Sequence, residues 1–294
     1  MFFKPRPISK LTVQPPAPQV SRSGIAIVAI VKNEGRFIAE WARFHALAGV
    51  RHFYIYDNGS TDDTCTRLQS ALPEDATTII PWNQRLKSGR GGAELHNQVF
   101  AFAHALANFG GKYRWMAFVD VDEFIVPMQH NSLDTALSDL AAATHISLPW
   151  HMFGRSGHAD MPDGGIVKNF LKRKKTVQAG GHALNWKCIV DPCHVTGVRV
   201  HGMEVDGKAE GVNDMGQFST HKARAQQSFI SNERLQLNHY YTRANADLQA
   251  KLNACLIASV PLTKHAKRVQ RIVQEIEADE VEDHAAVAFL KRVT

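Results

Sequence analysis

GIAIVAIVKNEGRFIAEWARFHALAGVRHFYIYDNGSTDDT, Gly24–Thr64, carries a complete strand–helix–strand unit. IAIVAIV (Ile25–Val31) is apolar and largely β-branched, as in a strand covered on both faces. Phe37, Trp41, Phe44 and Ala48 then recur at spacings of three and four, which predicts a helix closed by Gly49. HFYIYD (His52–Asp57) reads as a second strand. Ser60 or Thr61 is expected to cap a further helix with Asp62 and Asp63 in its first turn.

The alternation continues outward. TTII (Thr77–Ile80) reads as a strand, residues 93–108 as a helix, and WMAFV (Trp115–Val119) as a strand leading into Asp120. Ser132 opens another helix carrying Leu133, Leu137 and Leu140. The pattern predicts an α/β fold, a mainly parallel Rossmann-like sheet flanked by helices. Ligands of such sheets bind beyond the C-terminal strand ends, where Asp57 and Asp120 both fall.

Four segments follow. Residues 1–23 are proline-rich and read as an extended arm, and 24–150 hold the alternating half. Residues 151–245 are rich in Gly, His and basic side chains, the texture of a loop-rich half that shapes a substrate site. Residues 246–294 read as two amphipathic helices divided near Pro261, the last placing Val269, Ile272, Val273 and Ile276 on one face.

Hydrophobic residues make up 44% and charged residues 21%, as in a soluble globular protein, and no apolar run is long enough to span a membrane. Four cysteines (Cys65, Cys188, Cys193, Cys255) are too few for a disulfide framework, which suggests reduced thiols and a cytoplasmic location. Cys188, Cys193 and His194 lack a second ligand pair at zinc-site spacing. The net charge of +6 suits anionic ligands, although surface lysines explain such a balance without a site. Lys172-Arg173-Lys174-Lys175 reads as a solvated face, with an anionic acceptor or peripheral contact at the inner membrane face as the alternative. No nucleic-acid module is recognisable.

Asp120-Val121-Asp122-Glu123 concentrates acids where a buried strand ends. Buried acids are costly unless paired or metal-bound, and carboxylates suit Mn²⁺ or Mg²⁺. Lys32-Asn33-Glu34 precedes a helix N-terminus, where backbone N–H groups favour anions. Asp57 is placed to accept hydrogen bonds from a base or ribose, whereas Asn58-Gly59 is explained as a turn.

Taken in order, Gly24–Thr64, WMAFVDVDEFIVP (Trp115–Pro127), WHMFGRSGH (Trp150–His158), WKCIVDP (Trp186–Pro192), VRVH (Val198–His201) and LNHYYTR (Leu237–Arg243) with Lys251 downstream resemble the GT-A-fold glycosyltransferases. Within them the chain is similar to the glycosyltransferase family 92 and family-2-like group. The resemblance implies a UDP-sugar donor, a glycan or glycolipid acceptor and inverting transfer of a hexose, with galactose as the family-based expectation. It implies nucleotide contacts at Lys32, Asn33, Glu34 and Asp57, and a metal-and-diphosphate pair at Asp120 and Asp122. It further implies His239 as a metal ligand, and donor-sugar or acceptor contacts at Lys187 and the 153–158 loop. The proton acceptor that inversion needs is sought at Asp160 or Asp163, with Glu123 and Glu204 also weighed.

Two rival readings share these residues. A sugar nucleotidyltransferase would use the same nucleotide and metal site, but Lys32-Asn33-Glu34-Gly35 offers one glycine where a phosphate loop needs several. A non-catalytic anion- or glycan-binding protein would have no use for the acidic cluster.

Overall fold

A computed structural model describes residues 6–89, 92–177, 185–253 and 262–294. In chain order, β1 (Leu11–Thr12) precedes β2 (Ile25–Val31), α1 (Ile38–Leu47), β3 (Val50–Asp57), α2 (Thr64–Ala71), β4 (Thr77–Pro81), α3 (Asn97–Phe109) and β5 (Trp115–Phe118). Then come β6 (Glu123–Pro127), α4 (Leu133–Leu137), β7 (His145–Met152), α5 (Ile166–Asn169), β8 (Lys172–Lys174), β9 (Trp186–Val190), β10 (Val195–Arg199) and β11 (Gly202–Val205). The chain closes with β12 (Glu210–Val212), β13 (Phe218–Thr220), β14 (Leu235–His239), α6 (Asn245–Asn253), α7 (Leu262–Glu277), β15 (Glu280–Glu282) and α8 (Ala285–Val293).

The central sheet runs β13-β12-β7-β9-β5-β2-β3-β4, with β14 beside β7 and β6 beside β14. The strands β4, β3, β2 and β5 are mutually parallel, so their C-terminal ends open on one edge. Period-2 alternation explains why both faces are covered. Ile25, Ile27 and Ala29 point into a core shared with Trp41, Phe44 and Phe289, while Ala26 and Val28 point into one shared with Phe102 and Leu106. The α/β fold expected from the sequence is therefore present. Beyond β5 the sheet is mixed, since β9 lies antiparallel to both β5 and β7.

Several local expectations need correction. Asp63, not Ser60 or Thr61, precedes α2, and its side chain makes no cap bond. Asp62 instead accepts from Gly35 N at 3.0 Å and from Thr64 N at 3.1 Å, stitching two neighbouring loops together. The helix expected from residue 93 begins at Asn97. The C-terminal region holds a third helix, α8, and the short strand β15 as well. Cys255 and Pro261 lie outside the described residues.

The basic run is not simply solvated. β8 pairs antiparallel with β15, setting Lys172 opposite Glu282 and Lys174 opposite Glu280. Arg173 turns inward to Asp283 at 2.5 Å, and Gln236 donates to the same carboxylate oxygen at 3.0 Å. Despite its burial, which acts the other way, Asp283 sits below the usual aspartate range because Arg173 and Gln236 stabilise its charge. That contribution to stability is present above the ordinary aspartate pKa and lost as pH falls through the depressed one. Arg173→Met is expected to cost about 3 kcal/mol in chemical denaturation at neutral pH, because it strands a buried carboxylate. The loss should shrink in acid, and a pH-independent difference would show that charge is not its cause.

Candidate active site

The site forms where β5 ends. Val119 N still donates to Val28 O at 3.3 Å, after which the chain reverses: Glu123 N donates to Asp120 O at 3.0 Å and β6 begins. Antiparallel pairing of β6 with β14 sets His239 opposite Glu123, and Tyr240 N donates to Asp122 O at 2.8 Å. Pairing of Phe118 with Cys188 brings Lys187 on β9 beside Asp120. Two strands remote in sequence, β9 and β14, thus meet the β5–β6 turn.

Asp122, Glu123 and His239 each offer a donor atom, and the three atoms lie within 4.8 Å of one another. His239 Nε2 is 3.4 Å from Asp122 Oδ2, and the imidazole packs against Trp150 at 4.2 Å between ring centres. Glu123 is fully buried. Its Oε2 accepts from Asp120 N at 2.8 Å and lies 3.4 Å from Lys187 Nζ, while Oε1 has no hydrogen-bond partner among the described residues. Burial pushes the Glu123 carboxyl well above the usual carboxylate range, Lys187 pulls it back, and Asp120 and Asp122 push it up again. Two carboxylates and an imidazole, with one buried oxygen unsatisfied, fit a divalent cation such as Mn²⁺.

Asp120 is held otherwise. Its Oδ1 accepts from Gln98 at 2.8 Å and its Oδ2 from Lys187 at 2.7 Å, so both oxygens are engaged outside the three-residue cluster. Burial alone would lower the Lys187 ammonium, but Asp120 and Glu123 outweigh it and hold the pKa above its ordinary value. Lys187 is therefore a permanent cation between two acids.

The loops after β2 and β3 form the adjacent wall. Asn33, at φ +56°, donates from its backbone to Ser60 Oγ at 3.0 Å and accepts from Thr61 N at 2.8 Å. Asp57 accepts from Ser60 N at 2.9 Å through Oδ1. Glu34 Oε2 is 3.1 Å from Arg243, whose guanidinium lies 3.8 Å over the Phe37 ring, and Lys32 is exposed. At Gly35, which the sequence presents as a lone loop glycine, a Cβ would overlap the Asp63 carboxylate and crowd that of Asp62, so a larger residue would have to displace both acids.

The four proton-acceptor candidates separate. Asp160 and Asp163 are exposed on the 153–165 loop and Glu123 has no exposure, while Glu204 of β11 lies 2.7 Å from Lys10. Arg155 of the same loop is committed to Glu277 through two bonds of 2.6 and 2.5 Å. The side chain of Lys251 lies outside the described residues. Sequence reading missed Gln98, Trp150 and Arg243, each a single polar or aromatic residue whose role depends on a long-range contact.

The family profile of glycosyltransferase family 92 matches residues 28–253. A glycosyltransferase family 92 protein of Ricinus communis is 28% identical over 156 residues, which is 51% of this chain and 26% of that protein. One of Oryza sativa subsp. japonica is 26% identical over 155 residues, 51% of this chain and 24% of that protein. The aligned stretch is thus about a quarter of each plant relative's length. Among solved structures, Staphylococcus aureus TarS residues 1–349 gives a TM-score of 0.37 at 13% identity, covering 86% of this chain and 70% of that one. Mycobacterium tuberculosis glucosyl-3-phosphoglycerate synthase, solved with Mn²⁺, UDP and glucosyl-3-phosphoglycerate, gives 0.28 at 18% identity, covering 46% of this chain and 45% of that one.

Proposed function

Since the chain belongs to glycosyltransferase family 92, we propose that it is a metal-dependent, inverting hexosyltransferase that moves a sugar, galactose by family expectation, from a UDP-sugar to a glycan or glycolipid acceptor. The observation that carries this reading is the convergence of Asp122, Glu123 and His239 within 4.8 Å at a C-terminal strand end. In this reading those three residues hold the cation, Mn²⁺ being favoured by the imidazole and Mg²⁺ the alternative. Held by these residues, a divalent cation would supply charge neutralisation for the departing nucleotide diphosphate.

The chain's own groups supply the rest. Asn33 and Asp57 bound the nucleotide, Lys32 and Glu34 flank it, and Arg243 keeps the Glu34 carboxylate in place. Lys187 fixes the Asp120 carboxylate toward the donor and adds positive charge near the diphosphate. Glu123 is too buried to reach an acceptor hydroxyl and serves as a ligand in this reading. The proton then goes to Asp160 or Asp163 on the exposed loop. Among the described residues no helix is long and apolar enough to cross a membrane, and the pairing of β8 with acidic β15 leaves little of the basic run to grip one.

Calorimetry with UDP tests the donor site. Binding is expected in Mn²⁺ and should fall at least about tenfold in EDTA, because Asp122, Glu123 and His239 would hold the cation that favours a diphosphate there. Equal affinity in both buffers would sink the metal reading. In a transfer assay over a UDP-sugar panel, the base variant among Asp160→Asn and Asp163→Asn should lose turnover yet retain UDP binding; full turnover in both would remove the loop from catalysis.

A further inference from the structure

Arg224 is buried with no carboxylate partner. It is 9% exposed, and no acidic group lies within ion-pair distance of it among the described residues. Its Nη2 donates to His201 O at 2.9 Å, its Nη1 reaches Ser147 Oγ only at 3.4 Å, and the guanidinium faces the Trp186 ring at 5.1 Å. A guanidinium carries five N–H donors, so most of this fork is unspent. Glu204 on the neighbouring strand β11 is already committed to Lys10 at 2.7 Å and faces Arg199 at 3.8 Å.

Three histidines surround this cation. The His145 and His221 rings are 4.8 Å apart, and the Nε2 atoms of both, with Nδ1 of His201, are buried without hydrogen-bond partners among the described residues. Burial first, with Arg224 adding to it for His221, holds the His201 and His221 imidazoles at about 4, so both are neutral. An uncompensated buried charge is among the least favourable arrangements a fold can retain, and a ligand that supplies the missing charge relieves it. His201 and His221 are partly exposed, so the cluster reaches the surface through them.

Its position separates it from the donor diphosphate. Strands run β3-β2-β5-β9-β7, with Asn33 and Asp57 at the β2 and β3 ends and Arg224 packed on the β9 and β7 side of Asp120. His201 lies edge-on to Trp150 at 5.5 Å, and His239 packs on the same indole at 4.2 Å. One indole ring therefore stands between this cluster and the cation-binding residues.

We propose that Arg224, His201 and His221 form an oxyanion subsite that receives a carboxylate or phosphate group of the acceptor, making this a transferase for acidic glycans. The acceptor assignment rests on the glycosyltransferase reading; the oxyanion site itself does not. Guanidinium donates to the oxyanion, and a neutral imidazole turns a ring N–H toward it.

The first measurement uses inorganic phosphate on the EDTA-treated full chain, with histidine ring resonances observed by NMR. Saturable shifts of His201 and His221 are expected in the wild type, lost in Arg224→Met and partly kept in Arg224→Lys. Absence of a wild-type shift, or equal shifts in Arg224→Met, would overturn the site whether or not UDP binds. UDP affinity in Mn²⁺, measured on the same samples, reports on the donor reading alone. The second compares transfer to matched neutral, carboxylated and phosphorylated oligosaccharides. A preference of about tenfold or more in kcat/KM for one acidic form is expected, collapsing toward unity in Arg224→Met. Which form is preferred distinguishes uronate from phosphate, and equal use of all three by the wild type would refute the acceptor assignment.

Discussion

Asp122→Ala is expected to reduce sugar transfer by about a thousandfold or more, which corresponds to about 4 kcal/mol of transition-state stabilisation. It should also abolish Mn²⁺-dependent UDP binding. The fold should not suffer with it. Asp122 is partly exposed, and its backbone carbonyl, which accepts from Tyr240 N, is one that alanine keeps. Its carboxylate also adds to the repulsion that raises Glu123, so removing it relieves a cost. Activity and stability should therefore move apart: turnover lost, unfolding midpoint unchanged or slightly higher. Asp120→Ala is the informative contrast. It frees Lys187 and Gln98 at once, so both activity and stability should fall. Wild-type turnover in Asp122→Ala would remove that residue from the site, and unchanged UDP affinity in Mn²⁺ would exclude it as a ligand.

The parallel half of the fold was legible because its determinants are local. IAIVAIV alternates between two buried faces, and both core clusters use that alternation directly. Gly49 closes α1 at φ +92°, as a left-handed helix stop should. Failures occur where a local signal loses to a contact from elsewhere. Ser60 and Thr61 have cap-forming side chains, yet both are drawn to Asn33, the Ser60 hydroxyl accepting from its backbone N–H and the Thr61 hydroxyl donating to its side-chain Oδ1. Lys172-Arg173-Lys174 looks solvated until Glu280-Val281-Glu282, remote in sequence, pairs with it. Neither segment is long enough to announce a strand by itself.

The site follows the same rule. Asp120 and Asp122 could be placed because a strand ends beside them. His239 enters only through the family resemblance, since the register of β6 against β14, invisible in the sequence, sets it opposite Glu123. Glu123 reads as a proton acceptor in the sequence because its charge is legible there and its complete burial is not. Arg224 and Gln98 belong to no pattern, and their roles depend wholly on which groups surround them.

Lys187→Met should be the most destabilising single change in this region, costing about 3–5 kcal/mol, the range for removing one partner of a buried ion pair. Lys187 is 1% exposed and stands 2.7 Å from Asp120 and 3.4 Å from Glu123. Without it Glu123 retains no counter-charge in a fully buried position. The sign of the pH dependence follows from Glu123. Its folded pKa is already raised, so the stability tied to its neutral form is present below the ordinary glutamate pKa and lost as pH rises through the folded one. Deleting the ammonium raises that pKa further. In EDTA, the gap in unfolding free energy between Lys187→Met and wild type should widen from mildly acid to mildly alkaline pH and narrow toward the acid end, as Glu123 takes up a proton. A second substitution, Glu123→Gln, removes the stranded charge and should recover much of the loss, giving a double-mutant coupling of about 1–3 kcal/mol. Packing alone predicts otherwise: methionine fills most of the lysine volume, the gap would not depend on pH, and Glu123→Gln would add its own cost. Urea denaturation of the four proteins across that pH range separates the two, and an additive cycle would show that Lys187 does not stabilise this turn through its charge.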